Sequence, residues 1–348
     1  MSKGRKRSGA SCGESRSQRA RSLPPLSSGL AYVLHPTARD AFFASTFERD
    51  SIVIPHAAPA AAAAAAAPPP ATKGAGLFTL EALLELLDAE DVELYFGEHI
   101  NVFEFVDGAK QMRNPAPRAV DGAGDVLATR AAIVELMARG CSLQFHQPQQ
   151  HSAALHELLA GMEAQFGCLV GANIYITPAG AQGLAPHHDD IEAFVLQLEG
   201  EKDWCVYAPV APEKALPALY SDDIPPQRLA GRTPRRHTLA PGDLLYFPRG
   251  WIHFAKARGG AHSTHVTIST YQRWTWGDFV GAAAPRALSA LAAREATPLL
   301  RRGLPPRFAH QNQTSPPRRA EAKRTLRALL AAPGMIDALA DEMLDGGR

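Results

Sequence analysis

Residues 173–200 read NIYITPAGAQGLAPHHDDIEAFVLQLEG, and the fold turns on how they are read. Two short runs of β-branched, aromatic and aliphatic residues, 173–177 and 192–199, flank a link punctuated by Pro and Gly. Such runs suit strands, and such punctuation suits turns. The same texture continues in KDWCVYAP (202–209), DLLYFPRG (243–250), WIHFAKA (251–257) and HVTISTYQ (265–272). Several of these alternate polar and apolar residues, as a strand with one buried face does. Short strands at regular spacing with turn residues between them predict a sandwich or barrel.

The link carries chemistry as well. His187 and Asp189 are two apart, which in extended chain puts an imidazole and a carboxylate on one face. His188 and Asp190 form a second, shifted H-x-D on the other face, and spacing alone leaves the choice open. His253, at the end of DLLYFPRGWIH, offers a third ligand. Two histidines and one carboxylate leave metal positions free, as in the facial triad of non-haem Fe(II) oxygenases. A 2-oxo acid filling them would need a cation for its far carboxylate. Lys202, just past the turn-like LEGEK, is the candidate. Asn173 and Tyr175 share a strand face, as do Thr267 and Ser269, and all four offer donors. Each of these residues also has a plain reading: polar strand residues and lone core histidines are common.

Helical spacing appears on both sides of this region. AFFASTFERDSIVIPH (41–56) reads as a helix leading into a strand. LFTLEALLELLDAEDVEL (77–94), ATRAAIVELMARG (128–140) and ALHELLAGMEAQFG (154–167) read as helices, with CSLQFHQ (141–147) a strand between the last two. Helical patterns return in 279–303 and 318–344, and no internal repeat is visible. Residues 57–72 form an Ala/Pro-rich insertion without chemistry, since Pro68–Pro70 stop any helix.

Composition sets the outer limits. A chain of 348 residues with 46% hydrophobic content excludes wholesale disorder. Lys+Arg total 36 against 35 Asp+Glu, which excludes a globally basic coat. The four cysteines are scattered, so neither a disulfide framework nor a cysteine zinc site is expected, and a reducing compartment fits. No apolar run is long enough to span a membrane, and MSKGRKRSGASCGESRSQRARS lacks a secretory core. Residues 1–28 carry seven Lys/Arg against Glu14 and read as a disordered basic tail, compatible with a nuclear address or an RNA-touching arm. Residues 301–327 carry eight Lys/Arg against Glu321, a solvated face or a contact for a polyanion.

In combination, the H-x-D, the distal His253, LQLEGEK and STYQRWTWGDF resemble the ribosomal oxygenases, JmjC-type 2-oxoglutarate-dependent protein hydroxylases. The nearest branch is the nucleolar bifunctional lysine-specific demethylase and histidyl-hydroxylase, and the resemblance covers roughly residues 38–345. It implies a mainly β fold: a double-stranded β-helix, the jelly-roll, cupin-like JmjC barrel, over 29–276 with flanking N-terminal helices. A C-terminal helical dimerisation region would follow at 277–348, without the family's winged helix. His187, Asp189 and His253 match the family's catalytic Fe(II) ligands, and its register selects His187 over His188. Lys202 matches the lysine that binds the 2-oxoglutarate C5 carboxylate, and Asn173, Tyr175 and Ser269 fall around cofactor and substrate. The implied co-substrates are 2-oxoglutarate and O2. The implied reaction is β-carbon hydroxylation of a histidine in a ribosomal protein. Two alternatives stand beside it. One is an N-methyl-lysine demethylase of histone H3, a chromatin regulator. The other is a non-catalytic JmjC-like binding module, against which the four intact residues speak. The resemblance also implies a homodimer in the nucleolus and nucleoplasm, with RNA or ribosome contact through the basic segments.

Overall fold

Turn residues set where the strands stop. At Gly200 the chain reverses with φ +60°, and a Cβ there would lie 2.0 Å from the His262 carbonyl oxygen, so only glycine fits. The strands on either side follow from alternation. The computed structural model describes residues 23–56, 72–116, 126–294 apart from 212–214 and 218, 298–301, and most of 320–345. The Ala/Pro insertion, the basic tail up to residue 22 and most of the basic stretch 301–327 lie outside the described residues. From Leu23 the chain already packs on the core, five residues before the expected end of the tail.

In chain order the elements of the first unit are α1 (Leu30–Leu34), α2 (Arg39–Ser45), β1 (Ile52–Ile54), α3 (Leu80–Asp88), β2 (Tyr95–Phe96), β3 (Ile100–Val106), β4 (Ala109–Met112) and β5 (Val126–Leu127). There follow α4 (Arg130–Ala138), β6 (Ser142–His146), α5 (Ala153–Phe166), β7 (Gly171–Thr177), β8 (Glu192–Glu199) and β9 (Lys202–Tyr207). The last strands are β10 (Arg235–Leu239), β11 (Leu244–Phe247), β12 (Ile252–Ala257) and β13 (Ser263–Thr270). The larger sheet runs β1-β11-β8-β13-β7-β6-β3-β2-β5, with β4 on β3; the smaller runs β10-β9-β12.

The two sheets enclose a core. Ala193, Val195, Leu245 and Phe247 of the larger sheet meet Trp204, Val206 and Leu239 of the smaller. The alternate residues of the same strands, Phe194, Leu196, Leu244 and Tyr246, face the opposite way into a second core covered by helical residues such as Leu155, Met162, Leu83 and Phe42. Both faces of β8 are therefore buried, which is why EAFVLQLE is nearly continuous in apolar residues rather than alternating. Each such side chain contributes about 2 kcal/mol of burial. The fold is mainly β, two sheets about a shared core with helices on the flank, as the sequence predicts.

Helix ends follow the expected signals. Thr79, Thr129 and Ser152 cap α3, α4 and α5, each side chain accepting a backbone N–H of the first turn. Gly167 closes α5 in the left-handed conformation. The strands β4 and β10 are not expected from the sequence, because their polar composition hides the alternation; β3 is largely apolar and its hairpin with β4 is likewise additional to the expected strands.

One close approach ties the amino-terminal turn to α5. A Cβ on Gly161 would lie 2.5 Å from the Ser27 carbonyl oxygen and 2.8 Å from the Gly29 nitrogen. Gly161→Ala is expected to destabilise the fold by about 1–3 kcal/mol. A thermal denaturation midpoint equal to that of the parent would exclude this tight seam.

The second unit, residues 273–348, is helical where described. α6 (Trp276–Ala293) starts at a reciprocal capping box between Thr275 and Asp278 and packs against α7 (Met335–Asp345). The helical texture expected from about residue 277 is thus present. No described helix is long and apolar enough to cross a membrane.

Candidate metal centre

His187 and His253 face one another through two backbone hydrogen bonds. The His187 N–H donates to the His253 carbonyl at 3.2 Å, and the His253 N–H donates to the His187 carbonyl at 2.8 Å. His253 is fixed in turn on β12, opposite Val206 of β9. The extended-strand argument for His187 and Asp189 needs correction here. Residues 186–191 form a link with one isolated bridge, and β8 begins only at Glu192. Asp189 is held instead by its carbonyl, which accepts the Gly250 N–H at 3.0 Å. The turn carrying Gly250 is braced by Arg249, buried between Glu48 and Glu192.

The three side chains converge. The Asp189 carboxylate lies 3.8 Å from His187 Nε2 and 3.5 Å from His253 Nε2. Each imidazole turns its Nδ1 to a carbonyl oxygen, that of Ala185 at 2.8 Å and that of Trp251 at 3.0 Å. A carbonyl only accepts, so Nδ1 carries the hydrogen and both Nε2 lone pairs face the shared space. Burial first, then the neighbouring His187, pulls His253 down to about 4, which leaves it neutral at pH 7 as a ligand must be. One ligand atom from each residue falls within 4.8 Å of the others. Preset tautomers, one carboxylate and this spacing fit a divalent ion held on one face. The shifted pair lies outside the trio: Asp190 accepts from Gln272 Nε2, and the His188 backbone pairs with Ser221 while its Nδ1 is buried without a partner among the described residues.

A cavity opens beside this trio. Lys202 lines it from the first position of β9, 5% exposed, with Nζ donating to Thr177 Oγ1 at 2.9 Å and lying 3.5 Å from His265 Nδ1. Burial pulls Lys202 down to about 7, and no carboxylate raises it. Burial also holds His265 well below the usual histidine range, with Lys202 the next cause, so its ring is neutral. A buried ammonium without a counter-charge is a receptor for an anion.

The structure places Tyr175 in the cavity lining, its ring stacked on His265 with centroids 5.1 Å apart. Asn173 and Ser269 are not among the lining residues. Asn173 Oδ1 faces His146 Nδ1 at 3.1 Å, and Ser269 Oγ donates to the Gly171 carbonyl at 3.4 Å. Sequence reasoning missed Thr177, His265 and Trp204 as lining residues. The signal for two of them was present: Thr177 shares the Tyr175 face, and His265 shares the face of Thr267 and Ser269.

Residues 144–279 match the JmjC domain. Ribosomal oxygenase 1 of Rattus norvegicus is 39% identical over 319 residues, 89% of this chain and 49% of that protein. Ribosomal oxygenase 2 of Bos taurus is 42% identical over 248 residues, 71% of this chain and 48% of that one. The bifunctional lysine-specific demethylase and histidyl-hydroxylase NO66 of Dictyostelium discoideum is 36% identical over 275 residues, 76% and 51% of the two chains. Among solved structures, Escherichia coli YcfD aligns with a TM-score of 0.49 at 15% identity, over 86% of this chain and 69% of that one. The chain spans about half the length of the curated relatives it matches. The chain thus carries a JmjC domain over residues 144–279, which contain the trio, and is similar to ribosomal oxygenases along most of its length.

Proposed function

We propose that the chain is an Fe(II)- and 2-oxoglutarate-dependent oxygenase that hydroxylates the β-carbon of a histidine in a ribosomal protein. One observation carries the reading: the His187–Asp189–His253 trio opens onto a cavity holding an unneutralised, buried Lys202. His187, Asp189 and His253 would hold the ion through their shared face. When bound, Fe(II) with 2-oxoglutarate and O2 supplies the power to hydroxylate an unactivated C–H, with succinate and CO2 released. Lys202 would receive the far carboxylate of 2-oxoglutarate, aided by Thr177 and the neutral His265. Trp204, Phe247 and Val195 wall the cavity and keep water out. Tyr175 and, through it, Asn173 would orient the substrate side chain, with Ser269 further along β13.

The name of the Dictyostelium relative pairs histidyl hydroxylation with lysine demethylation. The same residues would serve an N-methyl-lysine of a histone such as H3, so demethylation is the second reading. The basic tail supports a nuclear, nucleolar site of action and contact with ribosomal RNA. Exposed Trp276, Phe279 and Val280 on α6 support self-association into a homodimer.

Mass spectrometry tests the assignment. Histidine-bearing ribosomal peptides and methyl-lysine histone peptides are incubated with protein, Fe(II), ascorbate and 2-oxoglutarate. A gain of about 16 Da on histidine, absent with His187→Ala, is expected. Loss of about 14 Da from lysine would move the assignment to demethylation. Unchanged peptides with no 2-oxoglutarate consumed would leave a binding module.

A further inference from the structure

Beside the trio, four residues close into a ring of polar contacts. The Glu48 N–H donates to the Tyr246 hydroxyl oxygen at 2.9 Å, and the Tyr246 hydroxyl donates to Glu192 Oε2. Glu192 Oε1 lies 3.7 Å from Arg249 Nε, and Arg249 Nη2 donates to Glu48 Oε1. Glu192, Tyr246 and Arg249 are all buried. Glu48 enters the ring twice, through its backbone and through its carboxylate. Its backbone is left-handed, with φ 57°, a region that residues other than glycine rarely adopt. Such a conformation persists only where the surroundings hold it. Here Phe42 and Phe47 of the same segment pack on the Tyr246 ring, with centroids 4.8 and 6.4 Å away.

The ring brackets Asp189. Gly250, next to Arg249, gives its N–H to the Asp189 carbonyl at 3.0 Å. Glu192 follows Asp189 closely in sequence and opens β8. The stretch 189–192 and the turn 249–250 are therefore joined at both ends, once by the Gly250–Asp189 bond and once by the Glu192–Arg249 ion pair. The second joint is the looser. At 3.7 Å it is an ion contact without a hydrogen bond, and Arg249 Nε has no hydrogen-bond partner among the described residues. Among the described residues, the Glu48 carboxylate is the one group that hydrogen-bonds the Arg249 guanidinium.

We propose that Glu48 is a positioning residue: by fixing the Arg249 guanidinium it holds the turn at Gly250 against the Asp189 carbonyl, and so sets the one carboxylate of the trio for its ion. The inference rests on reading the trio as a metal site. It extends that site to the amino-terminal flank, because Glu48 lies between α2 and β1, far from the trio in sequence. Charge balance separates positioning from folding. Removing the Glu48 carboxylate leaves Arg249 with Glu192, one cation with one anion, so no charge is left buried alone. Glu48→Ala should therefore fold and lose only the hydrogen bond that orients the guanidinium. Glu48→Gln keeps a carbonyl oxygen that accepts from Arg249 Nη2.

Two measurements on the full chain test it. In metal-free protein, amide hydrogen exchange followed by NMR is expected to find the Gly250 N–H exchanging about tenfold faster in Glu48→Ala than in the parent, with the amides of β13 unchanged. Calorimetry with Mn(II) is expected to show about tenfold weaker binding in Glu48→Ala, the scale for an outer partner of a metal ligand, and binding within about threefold of the parent in Glu48→Gln. If the β13 amides speed up as much as Gly250, Glu48 is merely structural and the inference falls. It falls too if Gly250 exchanges as in the parent, if Mn(II) affinity is unchanged in the alanine variant, or if glutamine is no better than alanine. A parent that binds no Mn(II) overturns the metal reading and the inference with it. A parent that binds, beside an alanine variant that binds equally well, overturns the inference alone.

Discussion

Asp189→Ala is expected to weaken Fe(II) binding by more than about 100-fold and to bring 2-oxoglutarate consumption to background. Loss of an outer partner of a metal ligand already costs roughly 10–100-fold, and Asp189 is itself the one anionic member of the trio. Its removal leaves two neutral imidazoles facing a doubly charged ion. The backbone bridge between His187 and His253 does not involve the Asp189 side chain, so the fold should survive. Anaerobic calorimetry with Fe(II), repeated with Mn(II), measures the effect. Asp190→Ala serves as the contrast. Asp190 is held by Gln272 outside the trio, so that variant should bind metal like the parent. If Asp190 rather than Asp189 controlled affinity, the shifted H-x-D would be the correct one.

Lys202→Met is expected to act in opposite directions on binding and stability. Removing the cation should weaken 2-oxoglutarate binding on the order of 100-fold, the scale of a buried charge-assisted contact. The same change should raise the thermal midpoint of the ligand-free protein, because an ammonium buried without a carboxylate is unfavourable. The sign with pH follows. The folded protein releases the Lys202 proton near 7, whereas an unfolded lysine holds it to its ordinary value of 10.5. Between these limits the unfolded chain binds the extra proton, so ligand-free stability gains from Lys202 as pH rises and loses as pH falls through about 7. Binding a dicarboxylate draws that proton back, so 2-oxoglutarate affinity should fall as pH climbs above about 7. Scanning calorimetry from pH 7 to pH 10, with and without 2-oxoglutarate, separates the cases. Equal pH slopes in parent and variant would mean that Lys202 is not the titrating group.

Much of this centre was legible in the sequence because its parts sit in strands with strong turn signals. Lys202 follows directly from the glycine reversal at Gly200, and His253 follows from the DLLYFPRGW turn. The reading of His187 reached the right neighbourhood by a partly wrong route, since the link is held by a bridge and by Gly250 rather than by a strand pleat. Alternation told which residues share a face but not how deep along that face the cavity lies. That depth depends on the register of β13 with β7, where His265 falls opposite Tyr175 and Ser269 opposite Gly171. No local pattern encodes a pairing across that separation.

The paired hydrogen bonds between His187 and His253 have a consequence for the life of the chain before it is complete. Two histidines far apart in sequence come within reach of one ion only when the link before β8 has closed onto β12. A nascent or half-closed chain therefore has no ready-made seat for redox-active iron. Iron captured by such a chain could oxidise the polypeptide that holds it. By making ligand assembly the same event as closure of the link onto β12, the fold ties metal capture to the presence of a walled cavity.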